Sequence, residues 1–595
     1  MSIETIRKRI VSPIINQLPF CVFLYMIWGG CSLLENLFSP LYTYSIKVFL
    51  INVLTLPFFF LFESFFFLYF FVFCIELVNR KWFTTFVYGF ILILTTIECF
   101  LRTRFEMGIS PTALVLAGET NNNEAKEFIQ TFVLVAGNIP FFFKLITIKF
   151  FLYLIERFYY KSFIIKLKRK LSKSIITLVF ILCAASYSLY CLGNNVSMML
   201  KNKDMDDLSG FEFTQSQKNP LTDLLYSSYG VYLMNKDEVF FEKNVNDFSS
   251  NDIVCQSDSA LNIVVIIGES FIKHHARLYG YSLNTTPHLS KEQISGNLFV
   301  FNDVISPYGY TSITIKNMLC TNSISDGEKW NNSYYFPQIF KAAGYSVYFW
   351  DNQKTWEDKS TFAFALNTFL YNKSLISKVY SKVNTKSYTY DEDLIKSFTS
   401  ERISTERNLV MFHLMGQHFK FNERFPQTEK FLYYTADSIK RNEIWMTKEK
   451  KQLIADYDNA TRYNDYVIWQ ILNLFRDSET IVVYFSDHGE EVYDYRDGFG
   501  RNGSTNQNKL KYIYQIPFMI WCSDSYIHNN PDHMRYIESA LDRPFMIDNL
   551  CHILFDLAHI KTKYYNPTRN ILSPKFKPQR RIIANKLDYD SVMCR

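Results

Sequence analysis

Several features are missing from this chain of 595 residues, and each absence narrows the reading. No histidine precedes His274; all ten lie between His274 and His559, outside the apolar first third. No Cys-x-x-Cys pair exists among the eleven cysteines, which argues against a cysteine-based zinc site. Basic residues do not cluster in the second half, and a net charge of +6 is small for this length. Nucleic acid is therefore not an expected partner. No internal repeat or low-complexity tract stands out. No small-residue cleavage site follows the first apolar run, so that run does not read as a removed signal peptide. The cysteines beyond residue 250 are Cys255, Cys320, Cys522, Cys551 and Cys594. They permit at most two disulfides, isolated buried thiols being the alternative.

What is present is uneven. Aromatic residues make up 17% of the chain and charged residues 20%, so the apolar content must be concentrated, and it lies in the first third. A bilayer crossing takes about 20 apolar residues. Leu18–Phe38, Ile46–Val78, Trp82–Leu101, Phe128–Ile155 and Ser174–Leu192 all qualify. The second, interrupted by Glu63, is either one tilted helix or two elements, and Asn138-Ile139-Pro140 predicts a kink in the fourth. Arg7 to Arg9, Arg80 with Lys81, and the basic run from Arg157 to Lys173 place their segments on the cytoplasmic side. Loop 102–127, acidic on balance, falls outside. Five crossings put residues from about 195 onward outside the cytoplasm. The expected division is a transmembrane domain over residues 1–194, a linker over residues 195–255 and a soluble domain over residues 256–595. Within the linker, the patch Leu221–Leu233 is either an interfacial helix or an ordinary surface helix.

From Leu261 the pattern alternates between strand and helix. Asn262–Ile267, Tyr345–Trp350, Asn408–Leu414, Ile481–Ser486 and Ile516–Trp521 read as strands. Pro337–Ala343, Leu453–Phe475 and Met546–Leu557 read as helices, the first opened by Pro337 and closed by Gly344. Alternation of this kind predicts an α/β domain with a mostly parallel sheet.

Ligands of such sheets bind beyond the carboxyl ends of the strands. Two strands end in chemistry there. Ile481–Ser486 runs into Asp487-His488-Gly489-Glu490, and Asn262–Ile267 runs into Gly268-Glu269-Ser270. Glu269 alone is equally readable as an acid at a helix N-terminus. Carboxylates with an imidazole suit Zn²⁺ or Mn²⁺. Thr311 opens a predicted helix, Thr311–Leu319, where a hydroxyl is either an N-cap or a nucleophile. His413 and His418 flank a strand end. His413 reads as structural and His418 as site-facing, a general acid or phosphate donor.

The segments Gly268-Glu269-Ser270, Leu278-Tyr279-Gly280-Tyr281 with Asn284 to Pro287, Ser306-Pro307 with Tyr310-Thr311-Ser312, His413 to His418, and Phe485 to Glu491 together resemble the membrane-bound phosphoethanolamine transferases of the alkaline-phosphatase/sulfatase superfamily. The resemblance covers residues from about 260 to 560, and the five-span layout agrees with it. It implies an N-terminal five-helix transmembrane domain and an α/β domain with a mostly parallel central sheet and helices on both faces. It implies zinc, or manganese, held by Glu269, Thr311, Asp487 and His488. Thr311 would attack phosphatidylethanolamine, diacylglycerol would leave, and the phosphoethanolamine would pass to lipid A, the lipopolysaccharide core or another surface glycan. His418 matches a residue that contacts the phosphoethanolamine. Thr120 and Glu124 match an outside-loop segment that contacts the donor head group. The implied setting is a bacterial inner membrane, with a cytoplasmic N-terminus and a periplasmic catalytic domain.

Three departures stand out. Many relatives carry a histidine about a dozen residues after the Asp-His pair; here Asp497 to Asn502 has none, and Arg501 is the candidate for a phosphate role. Leu116 stands where the family has an amide. Several disulfides common in relatives cannot form here. The alternative readings are a phosphoglycerol transferase or a sulfatase-type hydrolase, although no Cys/Ser-x-Pro-x-Arg motif marks the nucleophile. A non-catalytic membrane sensor or scaffold is the reading from another class.

Overall fold

The computed structural model describes residues 3–25, 27–28, 64–105, 108–111, 113–114, 117, 126, 129–130, 174–201, 220–257, 259–353, 370, 373–399, 403, 406–501, 507–584 and 587–594. The chain forms two compact units, Met1–Ala117 with Asn122–Leu233, and Gly118–Asn121 with Met234–Arg595.

In the first unit, helices α1 (Ile3–Asn16), α2 (Lys81–Phe105) and α3 (Ile175–Lys201) accompany a shorter apolar helix, Ser64–Val78. Among the described residues, Lys81–Leu101 and Ile175–Lys201 are long and apolar enough to cross a membrane. α2 turns Trp82, Phe86, Phe90, Ile93 and Ile97 outward at intervals of three and four residues. That spacing draws one exposed apolar stripe, which suits lipid better than water. Inward, Phe20, Trp28, Val72, Ile91 and Ala184 pack together, and the Trp28 indole donates to Thr95 Oγ1 at 3.1 Å. Of the five expected crossings, the third and fifth lie on α2 and α3. The first and second are described only in part, and the fourth only at residues 129–130. The expected kink at Asn138 to Pro140 and the basic run 157–173 lie outside the described residues. The patch Leu221–Leu233 falls within α4 (Pro220–Asn246).

The second unit is built on a seven-stranded sheet. Its strands are β1 (Asn262–Gly268), β2 (Leu298–Phe301), β3 (Ser346–Asp351), β4 (Lys382–Val383), β5 (Asn408–His413), β6 (Thr480–Ser486) and β7 (Phe518–Cys522), in the order β2-β7-β6-β1-β5-β3-β4. Every residue of β1, β5 and β6 is buried. Strands covered on both faces need unbroken runs of Val, Ile and Phe, and these have them. Alternate residues of β1 serve opposite layers. Ile263, Val265 and Ile267 pack with helices α5 (Thr311–Leu319) and α7 (Leu550–Leu557), whereas Val264 and Ile266 pack with α6 (Lys448–Leu474). The Thr447 side chain caps α6 by accepting from Lys450 N.

The sheet is mixed rather than simply parallel. β4, β3, β5, β1 and β6 pair in parallel, but β6–β7 and β7–β2 are antiparallel. The cause is the route taken after β6. Gly489 N still bonds Ile513 O at 2.7 Å, so the chain has not left the carboxyl end of β6 when it turns into β7. It can only run back. The last strand also starts later than Ile516: Ile516 N bonds Val304 O instead, and Pro517 has no N–H to give to a ladder. The expected helix Met546–Leu557 begins as a 3₁₀ turn, Ile547–Asn549, before α7. The helix expected at Pro337–Ala343 runs Phe336–Ala342, closed by Gly344 at φ +89°. Strand β2 is not among the strands that the sequence pattern predicts.

The parallel strands β1, β3, β5 and β6 present their carboxyl ends along one edge. Gly416, just past β5, shows how tightly that edge is built. It sits at φ +49°, and a methyl group there would lie 2.9 Å from the Glu269 carbonyl oxygen and 3.0 Å from its nitrogen. Gly416→Ala is expected to lower stability by about 1–3 kcal/mol through overpacking and backbone strain, measured by denaturant unfolding of the purified protein.

Candidate metal centre

Glu269 leaves β1 at a strained turn. The next residue, Ser270, has a φ of +56°, uncommon for a side chain with a Cβ. The turn has a use. It points Ser270 N at Asp487 Oδ1, 3.1 Å away, and lets Ser270 Oγ donate to Glu269 Oε1 at 2.6 Å. β6 lies beside β1 with Gly268 opposite Ser486, so Asp487 and His488 emerge next to Glu269. Asp487 N donates to Gly268 O at 3.0 Å, and Ser306 Oγ to Asp487 O at 2.5 Å.

Glu269, Asp487 and His488 are fully buried, and their candidate donor atoms all lie within 4.8 Å of one another. His488 Nε2 is 3.5 Å from Glu269 Oε1 and 3.1 Å from Asp487 Oδ2. Its Nδ1 faces the Gly489 carbonyl at 3.0 Å. A carbonyl only accepts, so Nδ1 carries a proton, and Nε2 is the nitrogen turned toward the carboxylates. Asp487 Oδ2 is buried without a hydrogen bond among the described residues. Burial disfavours its charge, but His488, Thr311 and Arg501 outweigh that and hold Asp487 below the usual carboxylate range.

Thr311 is the first residue of α5, and Tyr310, not Thr311, is the N-cap. The Thr311 hydroxyl is thus not used up in capping. It donates to Glu269 Oε2 at 3.0 Å and stands 3.1 Å from His488 Nε2. Two carboxylates, one imidazole nitrogen and one hydroxyl converge, and Asp487 Oδ2 accepts no hydrogen bond among the described residues. That donor set fits a hard or borderline divalent cation.

The other expected site residues fall into three groups. Arg501 reaches the centre: its Nε is 2.9 Å from Glu490 Oε2, its Nη1 is 3.4 Å from Gly309 O, and the guanidinium contacts His488 Nε2. His418 is half-buried just beyond Gly416, adjacent to the centre rather than bonded into it; burial, partly offset by Glu269, pushes its imidazole down to about 3. It is neutral at pH 7. His413 is buried beneath, 3.1 Å from Asp351 Oδ1. Thr120, Glu124 and Leu116 lie outside the described residues. The five cysteines beyond residue 250 are free thiols in this structure.

Sequence reasoning passed over Gln353. Its Nε2 donates to Glu269 Oε2 at 2.8 Å and to Leu414 O at 3.1 Å, which fixes the carboxylate. The available signal was position: β3 ends at Asp351, and Asn352-Gln353 follow it on the same edge as Glu269. Asp391 was passed over too. It accepts from Met415 N at 2.9 Å and Gly416 N at 3.0 Å, and so anchors the loop that leads to His418.

A mixed α/β sheet with carboxylates, imidazole and hydroxyl gathered at its carboxyl edge defines an alkaline-phosphatase-like domain. Residues 261–560 match the Sulfatase family, and the chain belongs to it. It is homologous to phosphoethanolamine transferases. Phosphoethanolamine transferase EptC of Escherichia coli (strain K12) is 28% identical over 411 residues, 67% of each chain. The crystal structure of the C-terminal periplasmic domain of EcEptC from Escherichia coli aligns with a TM-score of 0.51 at 28% identity, covering 57% of this chain and 96% of that one. Lipooligosaccharide phosphoethanolamine transferase A (EptA) from Neisseria meningitidis, an integral membrane protein, aligns over 93% of this chain and 97% of its own, with a TM-score of 0.63. At 18% identity that likeness is one of fold.

Side chains that hold a metal ligand in place typically contribute 10- to 100-fold to metal affinity. Gln353→Ala is therefore expected to weaken zinc binding by about 10- to 100-fold, read by competition with a chromogenic chelator; unchanged affinity contradicts the assigned role.

Proposed function

We propose that this protein is a zinc-dependent phosphoethanolamine transferase that moves the group from phosphatidylethanolamine to lipid A, the lipopolysaccharide core or a related surface glycan. The observation that carries the reading is the Thr311 hydroxyl at the start of α5, within hydrogen-bond reach of buried Glu269 and His488. A hydroxyl placed there is suited to nucleophilic attack, and a helix N-terminus favours the anion that the attack requires.

Glu269, Thr311, Asp487 and His488 would hold the cation. When bound, zinc supplies positive charge that favours the threonine alkoxide and offsets charge on the phosphoryl oxygens. The protein's own groups do the rest. Thr311 Oγ forms a bond to phosphorus as the bond to the diacylglycerol oxygen breaks; Thr311 loses one proton and the departing diacylglycerol gains one. An acceptor oxygen then attacks the phosphothreonine, the Oγ–P bond breaks, and Thr311 regains a proton from the acceptor. Arg501, held by Glu490, offers a fixed cation to the phosphoryl oxygens. His418, neutral at pH 7, suits a hydrogen bond to phosphate better than a role as general acid. Thr120 and Glu124 are assigned to the donor head group, where a carboxylate matches the ethanolamine ammonium.

The lipid donor requires a membrane enzyme. The exposed apolar residues of α2 and α3 and the placement of Lys and Arg support a multi-pass inner-membrane protein with its N-terminus in the cytoplasm and its catalytic unit in the periplasm. The solved EptC domain is described as periplasmic.

Thr311→Ala is expected to lower transfer by about 10⁴-fold or more, as loss of a covalent nucleophile does, with expression retained. Mass spectrometry of the native enzyme incubated with phosphatidylethanolamine alone should show Thr311 carrying one phosphoethanolamine group. Full activity in the alanine variant would remove Thr311 from this role, and an adduct that forms with phosphatidylglycerol but not with phosphatidylethanolamine would change the donor.

A further inference from the structure

A second buried charge cluster lies behind the metal centre. His275 follows Glu269 by six positions, and Asp494 follows His488 by six. His275 is 4% exposed. Its Nδ1 lies 2.6 Å from Asp458 Oδ1 on α6, and its Nε2 lies 3.0 Å from Asp494 Oδ1. Each carboxylate is held from its other side. Tyr281 OH donates to Asp458 Oδ2 at 2.8 Å, and Val492 N donates to Asp494 Oδ2 at 2.8 Å. The His275 ring packs on Tyr281 and against the edge of Tyr457.

A neutral imidazole donates from one nitrogen only and would turn a lone pair on the other aspartate. Only the imidazolium satisfies both. Burial opposes the charge, but Asp458 and Asp494 outweigh it and hold His275 at about 10. The cluster therefore sets an imidazolium between two carboxylates, on three separate segments.

Those segments lead to the metal centre. β1 and β6 are neighbours in register, and one delivers Glu269 while the other delivers Asp487 and His488. The chain beyond each strand end then meets its counterpart at His275 and Asp494. α6 is the common anchor: beside Asp458, Tyr457 OH donates to Ser270 O at 2.6 Å and accepts from Ile272 N at 2.9 Å.

We propose that His275 is a positioning residue, a fixed cation that ties the segment after Glu269 to the segment after His488, so that ligands from two strands converge at metal-binding separation. It touches neither substrate nor metal. The inference rests on the metal site proposed above. It predicts that the charge at position 275 matters more than the identity of the ring.

The test uses the full-length protein in detergent, with zinc as the probe and a chromogenic chelator as competitor. His275→Gln, which keeps polarity but removes the charge, should weaken zinc affinity by about 10- to 100-fold. His275→Arg, a planar cation with several donors, should restore it to within a few-fold of wild type. Metal-free melting curves are recorded alongside. A His275→Gln protein that melts earlier yet binds zinc like wild type overturns the proposal, because His275 is then a fold residue alone. Arginine performing no better than glutamine overturns it as well. If His275→Gln does not fold, Asp494→Asn decides, since it keeps the shape and weakens the tie: reduced zinc affinity supports the proposal, and unchanged affinity overturns it. Wild-type protein that binds no zinc brings down the metal site itself, an outcome distinct from a variant that fails to differ.

Discussion

Two carboxylates removed from water dominate this structure. Glu269 and Asp487 sit fully buried with their oxygens turned toward a common point. Taking a carboxylate out of water carries a penalty of several kcal/mol per ion even after relaxation, and like charges at this range resist sharing a site. The surroundings answer part of the demand through Ser270, Gln353, Thr311 and the His488 backbone. They leave Asp487 Oδ2 without a hydrogen bond among the described residues. A divalent cation would resolve the arrangement, and the donors suit one that accepts oxygen and nitrogen together.

The rest of the soluble unit can be understood as support for that convergence. Parallel register between β1 and β6 makes the two strand ends coincide, and α5 delivers Thr311 from another direction. The site is backed by a shell of polar groups anchored in rigid elements: Asp391 under the loop to His418, Tyr457 under Ser270, and His275 between Asp458 and Asp494. Each holds backbone or a ligand-bearing segment.

What the sequence disclosed follows from how local each signal is. Buried strands announce themselves as unbroken Ile, Val and Phe, so β1, β5 and β6 are legible to within about a residue or two, the usual uncertainty of element boundaries. α5 is legible at its observed bounds because Ser306 to Tyr310 reads as loop and an apolar helical run follows. β2 is not legible, since Leu298 to Phe301 is only four residues long and its partner β7 lies more than 200 positions away. The reversed direction of β7 is equally hidden, because it depends on where the chain stands after β6. Among site residues, strand-end acids and the Asp-His pair stand out by position. Gln353 does not, because an amide after an acid has many uses, and only proximity to Glu269 gives it one. The cationic state of His275 is invisible too: both of its partners are distant in sequence.

Glu269, Thr311, Asp487 and His488 are expected to hold one divalent ion. The most direct measurement is a crystal structure of the zinc-loaded protein with anomalous data collected at the zinc edge. One strong peak bonded to all four side chains is expected, at about 2.0–2.2 Å from their oxygen and nitrogen donors. A peak bound elsewhere in the chain, or none among these four residues at saturating zinc, would contradict it.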